Sequence, residues 1–197
     1  MKKLVLALAL LPSLGFAQQS ETVGTWQLGC VSDRMTDRTA CILRHREPAE
    51  RGLALEILDR GGRLVPAITG RDLSLENATR GLLAVTGSAQ LRFDRNAVME
   101  LPCSLEGRSL ICTPRAGDAV RAANELATAE RVLVRMSGLG SNSSAASEPT
   151  ELTLAQTTTA LERLRRAQPA GTTPPAPTSE PGLDLRDLLG RMQQLLR

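Results

Sequence analysis

The sequence predicts an all-β fold: a β-sandwich-like domain of short antiparallel strands with one or two small helices. An extended linker and a C-terminal amphipathic helix follow it. Three observations predict this. Short runs alternate apolar and polar side chains with the period of a strand. Gly, Asn and Asp turn signals separate these runs at short intervals, as in a sandwich or closed barrel. Four cysteines fall into two local pairs, each bracketing a polar turn between strand-like runs.

The chain opens with MKKLVLALALLPSLGFAQQ. Lys2 and Lys3 make a positive start, Leu4–Leu11 an apolar core, and Pro12 ends it. Gly15 and Ala17 are small residues two apart, so residues 1–17 read as a signal peptide cleaved after Ala17. The apolar run is far shorter than the roughly 20 residues a membrane-spanning helix needs. The expected location is therefore periplasmic or secreted.

Removing the leader changes the charge. The whole chain carries +3, but its only lysines are Lys2 and Lys3, which leaves 22 Arg against 21 Asp and Glu, or +1. Aromatics are 2% of the chain, too few for the stacking platforms of single-strand binders. Nor is there the clustered basic patch that a duplex binder needs. Nucleic acid is not an expected partner.

An oxidising compartment lets disulfides persist. The cysteine spacings, C-x10-C and C-x8-C with a single histidine, suit neither a structural zinc site nor a C-x-x-C redox centre. Of the three connectivities open to four cysteines, the local one is favoured: Cys30 with Cys41 and Cys103 with Cys112, each closing a turn. In the chain-entropy model such a loop contributes roughly 3 kcal/mol. No metal or other cofactor is expected.

Residues 18–167 form the predicted domain. In TWQLGC, Trp26, Leu28 and Cys30 share a face. In ACILRHR, Cys41 and Leu43 do, and His45, between Arg44 and Arg46, is expected to face solvent. LALEILD sets Leu53, Leu55 and Ile57 against Ala54, Glu56 and Leu58. RLVPAI carries Pro66, which places it at an edge or bulge. LLAVTG, AQLRFD, AVMEL and SLICT continue the strands. GDAVRAANELATAE then switches to helical spacing, with Val120, Ala123, Leu126 and Ala127 as its apolar stripe and Asp118 near its start. RVLVRM, with Val132 and Val134 on one face, and ELTLAQ flank the polar loop SGLGSNSSAASEP. TTALERLRRA closes the domain as a short helix, Leu161 and Leu164 inward and Arg163, Arg165 and Arg166 outward.

Residues 168–182, rich in Pro, Thr and Ala, lack the bulk to bury a core and read as an extended linker. Residues 183–197 carry Leu185, Leu188, Leu189, Met192, Leu195 and Leu196 at three- and four-residue steps, one apolar helical stripe. Asp184 and Asp187 at its start and Arg191 and Arg197 towards its end suit the helix dipole. So short a helix is marginal alone in water. The stripe needs a surface: its own domain, another chain or a membrane. Its mixed polar face disfavours the membrane.

The order of elements resembles the invasion-associated locus B family of bacterial secreted proteins. The resemblance runs over residues 22–167: GTWQLGC as the opening strand with its cysteine, ACIL at the second cysteine, the hairpin CSLEGRSLIC, a helix, RVLVRM, a loop, and ELTLAQTTTALERL. It departs at Arg44, where members often carry Gln, and at Ala155 and Gln156, where they often carry Gly-Phe. The resemblance implies a disulfide-bearing sandwich-like protein of the periplasm or surface, and no defined catalytic chemistry.

The functional expectation is an exported, non-catalytic envelope protein that binds a protein partner through its loops or through the Leu185–Leu196 stripe, with self-association through that helix as a further option. The alternative is a periplasmic hydrolase-like enzyme using His45, the one histidine, with a nearby carboxylate. Glu47 with Glu50, or Glu100 with Glu106, are carboxylate pairs of the kind that cleave glycosides, but the aromatic platforms of a sugar site are missing. SDRMTDR, between the first two cysteines, is expected to be a solvated loop whose Asp33, Arg34, Asp37 and Arg38 offset one another.

Overall fold

A computed structural model describes residues 20–71, 87–137 and 148–170. The expected leader, the LLAVTG run up to residue 86, most of the SGLGSNSS loop, and the C-terminal helix lie outside the described residues. So does all of the linker after Ala170.

The strands are β1 (Ser20–Val23), β2 (Trp26–Asp33), β3 (Arg38–His45), β4 (Ala54–Arg60), β5 (Arg63–Gly70), β6 (Ser88–Phe93), β7 (Met99–Glu106), β8 (Ser109–Cys112), β9 (Arg131–Ser137) and β10 (Thr150–Thr153). The helices are α1 (Ala119–Thr128) and α2 (Thr157–Ala167), and a single 3-10 turn spans Glu50–Gly52. The all-β expectation holds. The ten strands form one continuous sheet in the order β1-β2-β3-β4-β5-β8-β7-β6-β9-β10. Every pairing is antiparallel.

Local chemistry explains most of the hairpins. Between β4 and β5 the register closes Arg60 on Arg63, leaving Gly61 and Gly62 as a two-residue loop with φ of 64° and 84°. Two positive φ values make the turn whose twist matches the flanking strands, and glycine takes both at little cost. Pro66 lies in β5, which is an inner strand. However, β5 meets β8 only from Ile68 to Gly70, so at Pro66 it has one strand neighbour and its missing N–H breaks no second ladder.

The sheet curls, and its inner face makes the core with both helices. The two described aromatics, Trp26 and Phe93, are fully buried there, together with Leu43, Leu55, Ile57, Ile68, Leu91, Leu101, Val132 and Val134. Helix α1 packs on β5 and on α2, and α2 packs on β1, β2 and β3. The stripe α1 turns inward differs from the expected one. Ala122 and Leu126 are buried, with Ala129 just beyond the helix, whereas Val120 is half exposed. The steps 122, 126 and 129 follow the helical period as well as the expected set does. In α2, Thr157, Ala160 and Leu164 are buried and Leu161 packs at the margin of the core.

Mid-sheet strands are covered on both sides. In β4, Glu56 is buried, and its carboxylate accepts from Arg71 Nη2 at 2.6 Å and Nε at 3.1 Å. A buried carboxylate needs such a partner.

The two ends of the strand order meet at the β1–β2 turn. Thr25 N–H donates to Ala155 O at 3.3 Å, and Ala155 N–H donates to Thr25 Oγ1 at 3.0 Å. Gly24 sits at φ 58°, where a Cβ would lie 2.2 Å from the Ala155 carbonyl oxygen. Gly24→Ala is therefore expected to lower unfolding free energy by at least ~2 kcal/mol, combining left-handed strain with a backbone clash. Gly61→Ala, at φ 64° but with open space around it, is expected to cost only about 1 kcal/mol. Urea unfolding of the two variants checks the difference, and equal losses would refute the closure at Gly24.

Candidate functional site: the stapled arm

Beyond its base, the β2–β3 hairpin leaves the sheet. In β2, pairing with β1 stops at Gly29; in β3, pairing with β4 covers only Leu43 and Arg44. From Cys30↔Cys41 outward, through Val31↔Ala40 and Ser32↔Thr39 to Asp33↔Arg38, the described partner of each strand is the other. All residues from Val31 to Ala40 are exposed.

The end of α2 is what parts β3 from β4. Continuing the β3–β4 register would set Cys41 opposite Asp59. Instead the Cys41 N–H donates to Gln168 Oε1 at 2.7 Å, and Arg165 donates to Asp59 and to the Gly62 carbonyl. Gln168, the first residue of the expected linker, is itself buried. The helix end thus supplies hydrogen-bond partners to both separated strands, and the hairpin continues alone as an arm.

The disulfide Cys30–Cys41 sits at the root of this arm and Cys103–Cys112 joins β7 to β8; each links register partners, with Cα atoms 4.1 and 3.9 Å apart. There is no free cysteine among the described residues.

At the tip, Asp33 Oδ1 accepts from the Met35 N–H at 2.8 Å and Oδ2 from the Thr36 hydroxyl at 2.9 Å. The Asp33 carboxylate thereby organises the turn. These bonds, the Met35 N–H first, hold Asp33 below its ordinary pKa. Asp37 takes φ 52°, a conformation Asp tolerates better than most residues. Met35 at the apex is 92% exposed.

The two faces of the arm differ. The inner face, continuing Trp26, Leu28 and Leu43, carries the disulfide and packs towards α2. The outer face carries Val31 across from Ala40 and Ile42 across from Gly29. A Cβ at Gly29 would meet nothing within 4 Å, so a shallow notch lies beside Ile42. Arg38 and Arg44 stand on the same face of β3, beyond Ala40 and Ile42.

His45 corrects a sequence expectation. Residues 41, 43 and 45 share one strand face, so His45 points inward with Leu43 and is 2% exposed. Its Nε2 lies 2.9 Å from the Thr153 carbonyl oxygen, and its Nδ1 3.2 Å from the Glu47 backbone N. Nδ1 also lies 3.1 Å from the Glu47 carbonyl oxygen, so both ring nitrogens meet backbone groups. The ring also stands edge-on to Trp26, centroids 5.4 Å apart. Three of the four candidate carboxylates are engaged separately. Glu50 accepts from the Met136 N–H, Glu100 from Ser88, and Glu106 pairs with Arg60. No group of three or more His, Cys, Asp or Glu among the described residues is arranged to hold a metal ion.

The sequence therefore located the stapled loop but missed the Val31, Ala40 and Ile42 face and the role of Gln168. Strand parity could have revealed the first; no local signal marks the second. The six tail residues of the expected partner surface, Leu185 to Leu196, lie outside the described residues.

Two predictions follow from the geometry of the arm. Replacing Cys30 and Cys41 by Ser should speed amide exchange across residues 31–40 while barely moving the core amides of β6. Its global cost should fall below the ~3 kcal/mol of the loop-closure model, which Cys103 and Cys112, set mid-sheet, should approach. Equal global losses would contradict an independent arm. For Asp33 the lowered pKa means that the tip turn is fully supported above the ordinary carboxylate value and loses that support as pH falls through the lowered one. The Met35 amide resonance should move over that acidic window, and should not move in Asp33→Asn.

No family model matches the chain, and no curated protein matches it. No helix among the described residues is long and apolar enough to cross a membrane. Among solved structures the chain is similar to invasion associated protein B from Bartonella henselae. The two are 17% identical with a TM-score of 0.43, over 76% of this chain and 97% of that one.

Proposed function

We propose that the chain is an exported, non-catalytic envelope protein that binds a protein partner, in the manner of the invasion-associated locus B family it resembles, and that the stapled arm is the surface the partner meets. The arm itself carries this reading. Of the six large hydrophobic side chains exposed among the described residues, Val31, Met35 and Ile42 fall within residues 29–42. Apolar side chains gathered on a projecting element suit a contact surface better than scattered ones do. The Cys30–Cys41 clasp holds the arm in one shape, which lowers the entropy lost on binding. The leader and the two disulfides agree with a working place outside the cytosol.

The hydrolase alternative draws no support from His45. Its ring nitrogens both meet backbone groups and the ring is buried in a T-shaped contact with Trp26, whereas a general base needs one nitrogen facing a nucleophile.

A photoreactive amino acid in place of Met35, in the full chain expressed with its leader, tests the proposal. Irradiation of living cells should give one dominant adduct with an envelope protein. That adduct should fall about tenfold in a Val31→Glu, Ile42→Glu background, a loss equivalent to about 1.4 kcal/mol. Absence of any adduct, or one indifferent to both substitutions, would overturn the proposal.

A further inference from the structure

We infer that a ligand site separate from the arm lies on the outer face of β6 and β9, and that it takes a small organic carboxylate. Gln90, Arg92, Val98, Leu133, Arg135 and Pro149 line a shallow pocket there of about 160 Å³. Drug-sized ligands fill roughly 300–1,000 Å³, so the occupant is smaller still.

The sheet register builds the site. Leu91, Phe93, Val132 and Val134 turn into the core, so by strand alternation Gln90, Arg92, Leu133 and Arg135 turn outward. Gln90 is the register partner of Arg135, and Arg92 of Leu133. Arg92 and Arg135 are therefore diagonal neighbours across the two strands, with Cβ atoms roughly 7–8 Å apart. At that spacing two long guanidinium side chains close on one anion between them. Leu133 adjoins both. Val98, just before β7, and Pro149, just before β10, add apolar walls.

Hydrogen bonds hold both cations without neutralising them. Arg135 donates to Gln90 Oε1 from Nη2 at 2.7 Å and from Nε at 3.0 Å. Arg92 Nε donates to the Asn96 carbonyl oxygen at 3.1 Å. Both acceptors are neutral. The carboxylates of the same face are engaged elsewhere. Glu100, across from Gln90, accepts from the Ser88 hydroxyl, and Glu151, across from Leu133, pairs with Arg131. Arg60, Arg71 and Arg165 each meet a carboxylate, whereas Arg92 and Arg135 form no ion pair among the described residues. A carboxylate has lone pairs enough to accept from both guanidiniums at once, in charge-assisted bonds. The apolar lining, extended by the arginine stems, favours an acid with a hydrocarbon body over a bare inorganic anion.

The test titrates the full-length mature protein, disulfides intact, with sodium hexanoate at constant ionic strength. The Leu133 methyl and the arginine Nε–H resonances report binding. Hexanol, which lacks the charge, and inorganic phosphate, which lacks the body, are titrated alongside. Hexanoate should give saturable shifts at Arg92, Leu133 and Arg135, and the two controls should bind roughly tenfold more weakly or worse. Arg92→Gln and Arg135→Gln should each weaken hexanoate about tenfold, a loss equivalent to about 1.4 kcal/mol, while the core methyl signals of Leu91 and Val134 stay in place. Where Arg135→Gln disturbs those core signals, the more exposed Arg92→Gln decides. Arg63→Gln, at the start of β5, should change nothing. Shifts that never saturate, a control that binds as tightly as hexanoate, or binding indifferent to Arg92→Gln would overturn the inference. So would a photoreactive residue at Val98 that captures a protein in living cells, since a protein would then be the occupant.

Discussion

The fold depends on how the curled sheet is closed, and one small junction closes it. The Trp26 indole N–H donates to Thr157 Oγ1 at 3.1 Å, at the first residue of α2. His45, the register partner of Trp26, reaches Thr153 at the end of β10. The Gly24–Thr25 turn lies against Ala155 between them. Four residues in the first three strands and their turns, Gly24, Thr25, Trp26 and His45, thereby seat the chain between its last strand and last helix. A buried indole N–H needs an acceptor, and only correct placement of α2 supplies one here. Among the described residues the core has two aromatics, so the largest one also has to hold the ends together.

Seating α2 at this junction has a consequence at its other end. Eleven residues later the helix stops with Arg165 and Gln168 between β3 and β4. A sheet opened at that point would leave unpaired backbone groups, which are costly when buried. Gln168 meets one such group, the Cys41 N–H, and Arg165 meets the Asp59 carboxylate and the Gly62 carbonyl. The same contacts free the β2–β3 hairpin from further pairing.

The cysteines divide their work between these two regions. Cys103–Cys112 lies in the body of the sheet, while Cys30–Cys41 lies where the body ends and the arm begins. A two-stranded hairpin alone is marginal in water. The clasp at its root, the Ser32–Thr39 hydroxyl contact at 2.9 Å and the Asp33-centred turn hold it along its length.

Much of this was legible in the residues. Alternation marked the described strands, because a strand with one buried face must alternate. Glycine pairs and polar turns marked the hairpins, because few residues take positive φ without strain. His45 was misread although the information was present: it was set on the strand face opposite Cys41 and Leu43, whereas residues 41, 43 and 45 share parity and point the same way. The stripe of α1 was ambiguous for a different reason. Its helix is rich in alanine, so several faces satisfy the helical period and only the neighbour, β5, selects one.

By itself, then, the sequence determined the all-β class, most of the described strand segments, the two helices and which turns lie between the cysteines, since these depend on periodicities and dihedral preferences within a few residues. Only the tertiary structure decided that ten strands join into one curled sheet, that His45 is buried, and that Gln168 separates β3 from β4 so that a hairpin becomes an arm. The last two outcomes are contacts between residues more than a hundred positions apart, and no local pattern encodes which distant group will meet a given N–H.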